Sequence, residues 1–394
     1  MNTKGLAVCA IAVAVVAILC AAFVLTDSGS SDETEPETRV LTDMYGHEFK
    51  VGNVEKTVVQ TGMAMRFVSY MGADSMGTIV GSDLNKNTDG RIYQSYFYVD
   101  IPDYKYLSTC TVANTEEIVS LDPDLVIVVG EGQNSLDNDT KELIDVMDKL
   151  GIPVCVLKYV DEVKSEEYKK QLELLGDVFQ YPDRATELQE GTDRILNDIS
   201  SRMSKANESK NVYIGAVGFR GPHNLLGTNP SYDSMTYLGN KIVNVSSLIT
   251  SSDISQEIQW DDLYNAQEKY GIDLVLMDLD GYRLVKSDYQ DSSRKYLKVD
   301  AIRENGMTFI LPHTNAGTLH DNTLISAYII GSLAFPELFS DIDIDDTAKE
   351  IWSLFMDSEN SGDAVYDGLV KRIGDLTGDA SLYGNVDFSK GVHV

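Results

Sequence analysis

Two rhythms of apolar residues alternate along most of the chain. Short unbroken apolar runs predict strands at Thr57–Gln60, Ile79–Gly81, Leu125–Val129, Val154–Leu157, Val212–Ala216, Leu274–Met277 and Thr308–Leu311. Between them, apolar residues at helical spacing predict helices through Val68 and Met71, at Thr115–Ser120 and Glu142–Leu150, near Tyr232–Leu238, and over Asn322–Phe335 and Thr347–Phe355. Two strand-like pieces, Arg39–Leu41 and Glu48–Val51, flank the turn signal Tyr45-Gly46. Strand–helix alternation of this kind predicts parallel α/β lobes. One stretch breaks the rhythm. From Asp183 to Ala206, Leu188, Ile195 and Ile199 keep helical spacing among many charges, with Gly191 the one glycine and no proline. A single long, largely exposed connecting helix is expected there.

The length of 394 residues suits two lobes better than one core. The N-terminus adds a different kind of segment. Lys4 precedes an apolar run from Gly5 to Leu25, closed by Asp27. That run is long enough to span a bilayer, and the flanking charges put the remainder of the chain outside the cytoplasm. A cleaved signal peptide and lipidation at Cys20 are the competing readings, and Leu19 is too large for the residue before a lipidated cysteine. The expected organisation is an anchor or signal segment at 1–26, a flexible acidic stalk at 27–38, a first lobe at 39–182, the connecting helix at 183–206 and a second lobe at 207–394. The body is expected to be monomeric.

Composition narrows the function. A formal charge of -30 repels phosphate backbones and excludes nucleic acid as a partner. Outside the anchor the cysteines are Cys110 and Cys155, which leaves a disulfide open but gives no metal-ligand spacing. No nucleophile elbow, phosphate-cradling loop or HExxH motif is present, so no enzyme chemistry is assigned and no cofactor is expected. Sequons at Asn138, Asn207 and Asn244 mark surface positions open to glycosylation.

Four stretches then carry a resemblance. Asn114-Thr115-Glu116-Glu117-Ile118-Val119-Ser120-Leu121-Asp122-Pro123-Asp124-Leu125-Val126 resembles the N-x-E-x-I-x-x-L-x-P-D-L-V stretch of the ABC-importer solute-binding proteins for ferric siderophores and cobalamin. Met71 to Gly81 is similar to that family's L-G-A-x-D-x-x-V-G segment, with two extra residues. Leu174-Leu175-Gly176 through Ala185 resembles the opening of its backbone helix, and Ser255-Gln256-Glu257 its second-lobe S-x-E. The resemblance runs from about Arg39 to the C-terminus. It implies two Rossmann-like α/β lobes joined by one long backbone helix. A solute, an iron complex (siderophore, haem or similar) or a cobalamin-like corrinoid, would lie between the lobes and pass to a membrane permease with its ATPase. It further implies that Glu116 and Glu257 form salt bridges with permease arginines; an echo in the chain, each glutamate preceding an Asp-led apolar strand, agrees with that pairing.

Cleft residues belong on loops at strand ends that face the other lobe. By that rule the ligand-binding candidates are Met65, Arg66, Tyr96, Tyr98 and Glu131 from the first lobe, and Phe219, Arg220, His223, Tyr282, Arg283 and His313 from the second. Arg220, in a glycine-flanked loop, has the reach to meet a carboxylate or an anionic chelate. The tyrosines suit a flat macrocycle or a siderophore pocket. His223, His313 and His320 leave a bare metal-ion site open, although the chain has 5 histidines and no His-rich loop. A membrane-tethered sensor or surface-binding protein on the same fold is the other reading. A chelatase-like enzyme, with His313 and Glu131 as its pair, is the remaining one.

Overall fold

In the computed structural model of the protein the described residues are 38–85, 93–101, 103–130, 135–219, 221–252, 254–357, 361–386 and 388. The expected anchor, and the stalk as far as residue 37, lie outside them. Among the described residues no helix is long and apolar enough to cross a membrane.

Two five-stranded sheets organise the body. The first has the order β5-β4-β3-β6-β7, from β3 (Thr57–Val59), β4 (Ile79–Ser82), β5 (Lys105–Tyr106), β6 (Leu125–Val129) and β7 (Val154–Leu157), all parallel. A small antiparallel pair, β1 (Arg39–Thr42) and β2 (Glu48–Val51), precedes it. β6, Leu-Val-Ile-Val-Val, is buried throughout because both faces of the sheet are covered. Val126 and Val128 pack with Ile118, Leu143 and Met147 on one face, while Leu125, Ile127 and Val129 join Phe67, Tyr168 and Leu172 on the other.

The second sheet has the order β10-β8-β12-β13-β14. Its strands β8 (Lys210–Gly215), β10 (Ile242–Asn244), β12 (Leu274–Asp278) and β13 (Met307–Ile310) are parallel; the edge strand β14 (Gly384–Val386) is antiparallel to β13. A short antiparallel pair, β9 (Gly227–Thr228) and β11 (Gln256–Glu257), lies beside it in sequence. In each sheet the chain leaves its first strand, β3 or β8, to one side and returns on the other. Each lobe therefore has a topological switch point at the carboxyl ends of its strands, between β3 and β6 and between β8 and β12.

The link between the sheets is one helix, Pro182–Met203, of 22 residues and so about 33 Å long. Pro182 opens it, where a missing N–H costs nothing. The helix is less exposed than its charges predict. Leu188, Gly191, Thr192 and Ile199 are buried, and Gly191 leaves room for Leu354 of the Ile344–Met356 helix. Arginines pin both of its ends. Arg184 Nε donates to the Tyr70 carbonyl (2.9 Å) and another of its nitrogens to the Leu354 carbonyl. Arg202 holds Asp341 through two nitrogens, at 2.6 and 3.0 Å.

The last helices do not stay with the second sheet. Phe355 packs edge-on against Tyr70 of the Met63–Tyr70 helix, and Gly368 of the Ser361–Thr377 helix is seated against Tyr98. The C-terminal part of the segment assigned to the second lobe thus covers the first. Cys110 and Cys155 are both buried and free. Burial pushes both thiols up, which keeps them protonated and inert.

Candidate functional site

The site is built from the carboxyl ends of both sheets. In the first lobe the chain leaves β7 through Lys158 to Asp161 and Glu162. In the second it leaves β8 through Ala216 to Phe219, β12 through Asp278 to Asp280, and β13 through Leu311 to Thr318. These ends enclose a cavity of about 540 Å³. Asp161 and Glu162 line it from the first lobe; Phe219, Asp233, His313 and Thr314 are among those lining it from the second. Ile254, 73% exposed, forms part of its rim. A second cavity of about 380 Å³ shares Phe219 and Thr314 and extends to Asp280 and the 315–317 turn.

The electrostatics centre on one buried chain of groups. His313 Nε2 donates to Asp233 Oδ2 at 2.7 Å, and the Tyr232 ring packs 4.6 Å from the imidazole. Burial alone would lower the His313 pKa. The Asp233 hydrogen bond, with the charges of Asp233, Asp278 and Asp161, outweighs it and holds the pKa above the usual histidine value. The backbone N–H of His313 in turn donates to Asp278 Oδ2 (2.9 Å), as the Asp280 N–H does to Oδ1 (2.9 Å). Asp278, at the end of β12, thereby locks the β13 loop in place. Burial pushes its carboxyl up to about 7, against the pull of those two donors. Burial also raises Glu162, with Asp233 adding like charge.

The turn after β13 joins the lobes. Arg66, 1% exposed, donates through Nη2 to Gln94 Oε1 (3.0 Å) and to the Asn315 carbonyl (2.9 Å). Gln94 Nε2 closes the triangle on Asn315 Oδ1 (3.0 Å), and Thr318 Oγ1 donates to Asp161 (3.2 Å). Ala316 takes a positive φ of 50° and presses against Gly62, where an added Cβ would lie 3.0 Å from the Ala316 Cβ. Only glycine at 62 permits that approach. Replacing Arg66 by alanine removes two charge-assisted bonds, at roughly 1.5 kcal/mol each. A loss of about 3 kcal/mol in denaturant unfolding is expected; an unchanged midpoint would refute this inter-lobe tie.

The residues selected from the sequence divide accordingly. Phe219 and His313 reach the cavity. Arg66 has no free surface, and its Nη2 is committed to the inter-lobe contact. Met65 and Tyr96 have no exposed surface and pack in the core, and Tyr98 lies half-buried against Gly368. Tyr282 is buried against Phe309 and Phe388, its hydroxyl on the Thr377 carbonyl at 3.3 Å, while Arg283 is exposed. Glu131 and Arg220 lie outside the described residues. His223 stacks on Phe219 with centroids 3.8 Å apart, its Nε2 on the Phe219 carbonyl and its Nδ1 3.7 Å from Glu257. His320 sits in the core with Nε2 donating to the Val160 carbonyl; burial, then the nearby Arg66 charge, pushes it down to about 3. The three histidines therefore do not converge, and among the described residues no group of three or more metal-ligating side chains is arranged to hold an ion.

Asp161, Glu162 and Asp233 escaped the sequence reading. The rule that picked the other loops, position just after a parallel strand, applies equally to the loop after β7 and would have found the first two. Glu116 and Glu257 are both exposed. Glu116 lies in the first turn of the Thr115–Ser120 helix, whereas Glu257 sits on β11, just before the Trp260–Tyr270 helix, rather than at a helix start. Each precedes the strand, β6 or β12, that pairs with the first strand of its sheet.

This architecture is a two-lobed α/β fold with a cavity at the carboxyl ends of both parallel sheets. The sequence pattern of the periplasmic binding protein family matches residues 79–259. The chain is 22% identical to the Fe(3+)-citrate-binding protein YfmC of Bacillus subtilis over 237 residues, 60% of this chain and 68% of that one. A periplasmic solute binding protein from Veillonella parvula superposes with a TM-score of 0.59 at 16% identity, covering 84% of this chain and 97% of its own. The molybdate periplasmic binding protein MolA of Haemophilus influenzae, also at 0.59 and 16%, covers 81% of this chain and 98% of its own. These two likenesses show the fold. The proteins found are named as binding proteins rather than enzymes.

Proposed function

We propose that the chain is the extracytoplasmic solute-binding component of an ABC importer, capturing an iron complex or a corrinoid between its lobes and delivering it to a permease. The observation that carries this reading is the cavity of about 540 Å³ walled by residues of both lobes at the carboxyl ends of two parallel sheets. The match to an iron-citrate-binding relative supports the metal-complex class. The apolar segment from Gly5 to Leu25 supports a tether that keeps the body at the outer face of the membrane. Solute capture is then a shift toward a closed arrangement of the lobes, limited in amplitude by the connecting helix and by the Arg66–Asn315 contact.

Native mass spectrometry of the full chain purified from its own host is expected to show one retained small molecule containing iron or cobalt. Phe219→Ala, which removes an aromatic wall of both cavities, is expected to weaken its binding about tenfold, in line with roughly 1–1.5 kcal/mol for an aromatic contact. A chain that retains no solute, or a variant of undiminished affinity, would refute the reading.

A further inference from the structure

The charge of the cleft indicates the kind of solute it takes. Asp161 and Glu162 approach the larger cavity from the first lobe and Asp233 from the second, and the adjoining cavity adds Asp280. Among the described residues lining either cavity there is no lysine or arginine. His313 offsets Asp233, to which its Nε2 is committed, and leaves Asp161 and Glu162 without a basic side chain among the described lining residues. Its Nδ1 is buried and has no protein partner among the described residues. Lys164 of the β7 loop lies outside the lining and is exposed, with its ammonium on the Thr236 carbonyl (3.4 Å) and over the Tyr237 ring (4.9 Å); its charge offsets Glu162 in part. Phe219 completes the wall with an aromatic ring, one face of which is covered by His223.

An anionic chelate in this space would meet like charge in a partly desolvated cleft, where Coulomb terms are several times stronger than in water. A cation would find carboxylates on two sides and an aromatic surface on a third. We propose that the solute held here bears a positive charge, as a protonated amine or as a metal complex of net positive charge, between Asp161, Glu162 and Phe219. This rests on reading the cleft as the solute site. It does not require the solute to contain iron.

The test compares ligands that differ in charge alone. The full chain is titrated calorimetrically with the ferric complex of a linear trihydroxamate carrying a free terminal amine, with the same complex acetylated at that amine, and with ferric citrate. The amine complex is expected to bind at least tenfold tighter than the acetylated one, with ferric citrate weakest. The preference is expected to fall below threefold in Asp161→Asn/Glu162→Gln, whose unfolding midpoint serves as the folding control. Equal affinity for the amine and acetylated complexes, or tightest binding of ferric citrate, overturns the proposal without touching the solute-binding reading. Should none of the three bind, the charge of the solute retained from the host decides: a cation upholds the proposal, and a neutral or anionic solute overturns it. A chain that binds none and retains none removes the solute-binding reading and this inference together.

Discussion

Replacing both Glu116 and Glu257 by alanine is expected to abolish solute uptake and binding-protein-stimulated ATP hydrolysis in reconstituted vesicles, while folding and solute affinity stay near those of the unaltered chain. The two carboxylates are exposed, and each lies ahead of the strand that pairs with the first strand of its sheet. A permease that recognises both lobes at once needs a marker on each, and opposite charges across the contact set register and speed encounter. Structural work for these side chains is slight. Glu116 complements a short helix N-terminus, worth well under 1 kcal/mol when exposed. Among the described residues Glu257, with its side chain 52% exposed, pairs with His223 Nδ1 at 3.7 Å. A fold that tolerates the double substitution but no longer transports isolates the docking step. Normal transport by the double variant would refute it and favour a tethered sensor on the same fold.

Stability should depend on pH through Asp278 with an unusual sign. Most acids in proteins stabilise the fold when ionised, but burial raises this carboxyl from 3.8 to about 7. A group whose folded pKa lies above its unfolded value stabilises the fold in its protonated form. Its contribution is complete below about pH 4, declines as pH rises, and is gone above about pH 7. An interval of about three pH units at 1.36 kcal/mol each amounts to roughly 4 kcal/mol. His313, whose pKa is also raised, acts in the same sense, losing its contribution as pH climbs through its folded value. Asp278→Asn removes the titration and leaves a constant cost, because one of its two backbone donors loses an acceptor. Measured by urea unfolding at pH 4, 5.5 and 7.5, the variant is therefore expected to gain on the unaltered chain by roughly 4 kcal/mol across the series. A difference that stays constant with pH would show that Asp278 is ionised throughout.

Much of the fold was legible because local pattern and tertiary role agree. The unbroken run Leu125–Val129 reads as a strand covered on both faces, and it is one. The helix expected at Glu142–Leu150 starts earlier, at Asn138, because the Asp137 carboxylate accepts the Thr140 N–H at 2.8 Å and stabilises a polar first turn that carries no apolar signal. The helices Trp260–Tyr270 and Tyr282–Tyr296 were harder to see, since each buries few side chains and shows a weak apolar stripe. β14 was missed because its three residues join the sheet as an antiparallel edge, far along the chain from their partner.

The candidate site was legible as loops and much less as side chains. The strand-end rule found the loops after β8, β12 and β13, and the fold does bring Phe219 and His313 to the cavity. It could not tell a side chain that faces the cleft from one turned into the core, because the loop after a strand offers both directions. Arg66 shows why. Its place beside a glycine turn reads like a ligand contact, yet its partners are Gln94 and the carbonyl of Asn315, the latter 249 positions away.

By itself, the sequence determined the α/β plan, the two lobes with their connecting helix, the strand ends where a site must lie, and the family motif around Glu116. These follow from hydrophobic periodicity and turn chemistry, which act between neighbours in the chain. Only the tertiary structure decided which charges share the cleft: Asp161 and Glu162 from one lobe, with Asp233 and its His313 partner from the other. Burial, hydrogen-bond partners and pKa are set by groups that folding brings together from distant parts of the chain, so the sign of the cleft's charge appears only once the two lobes meet.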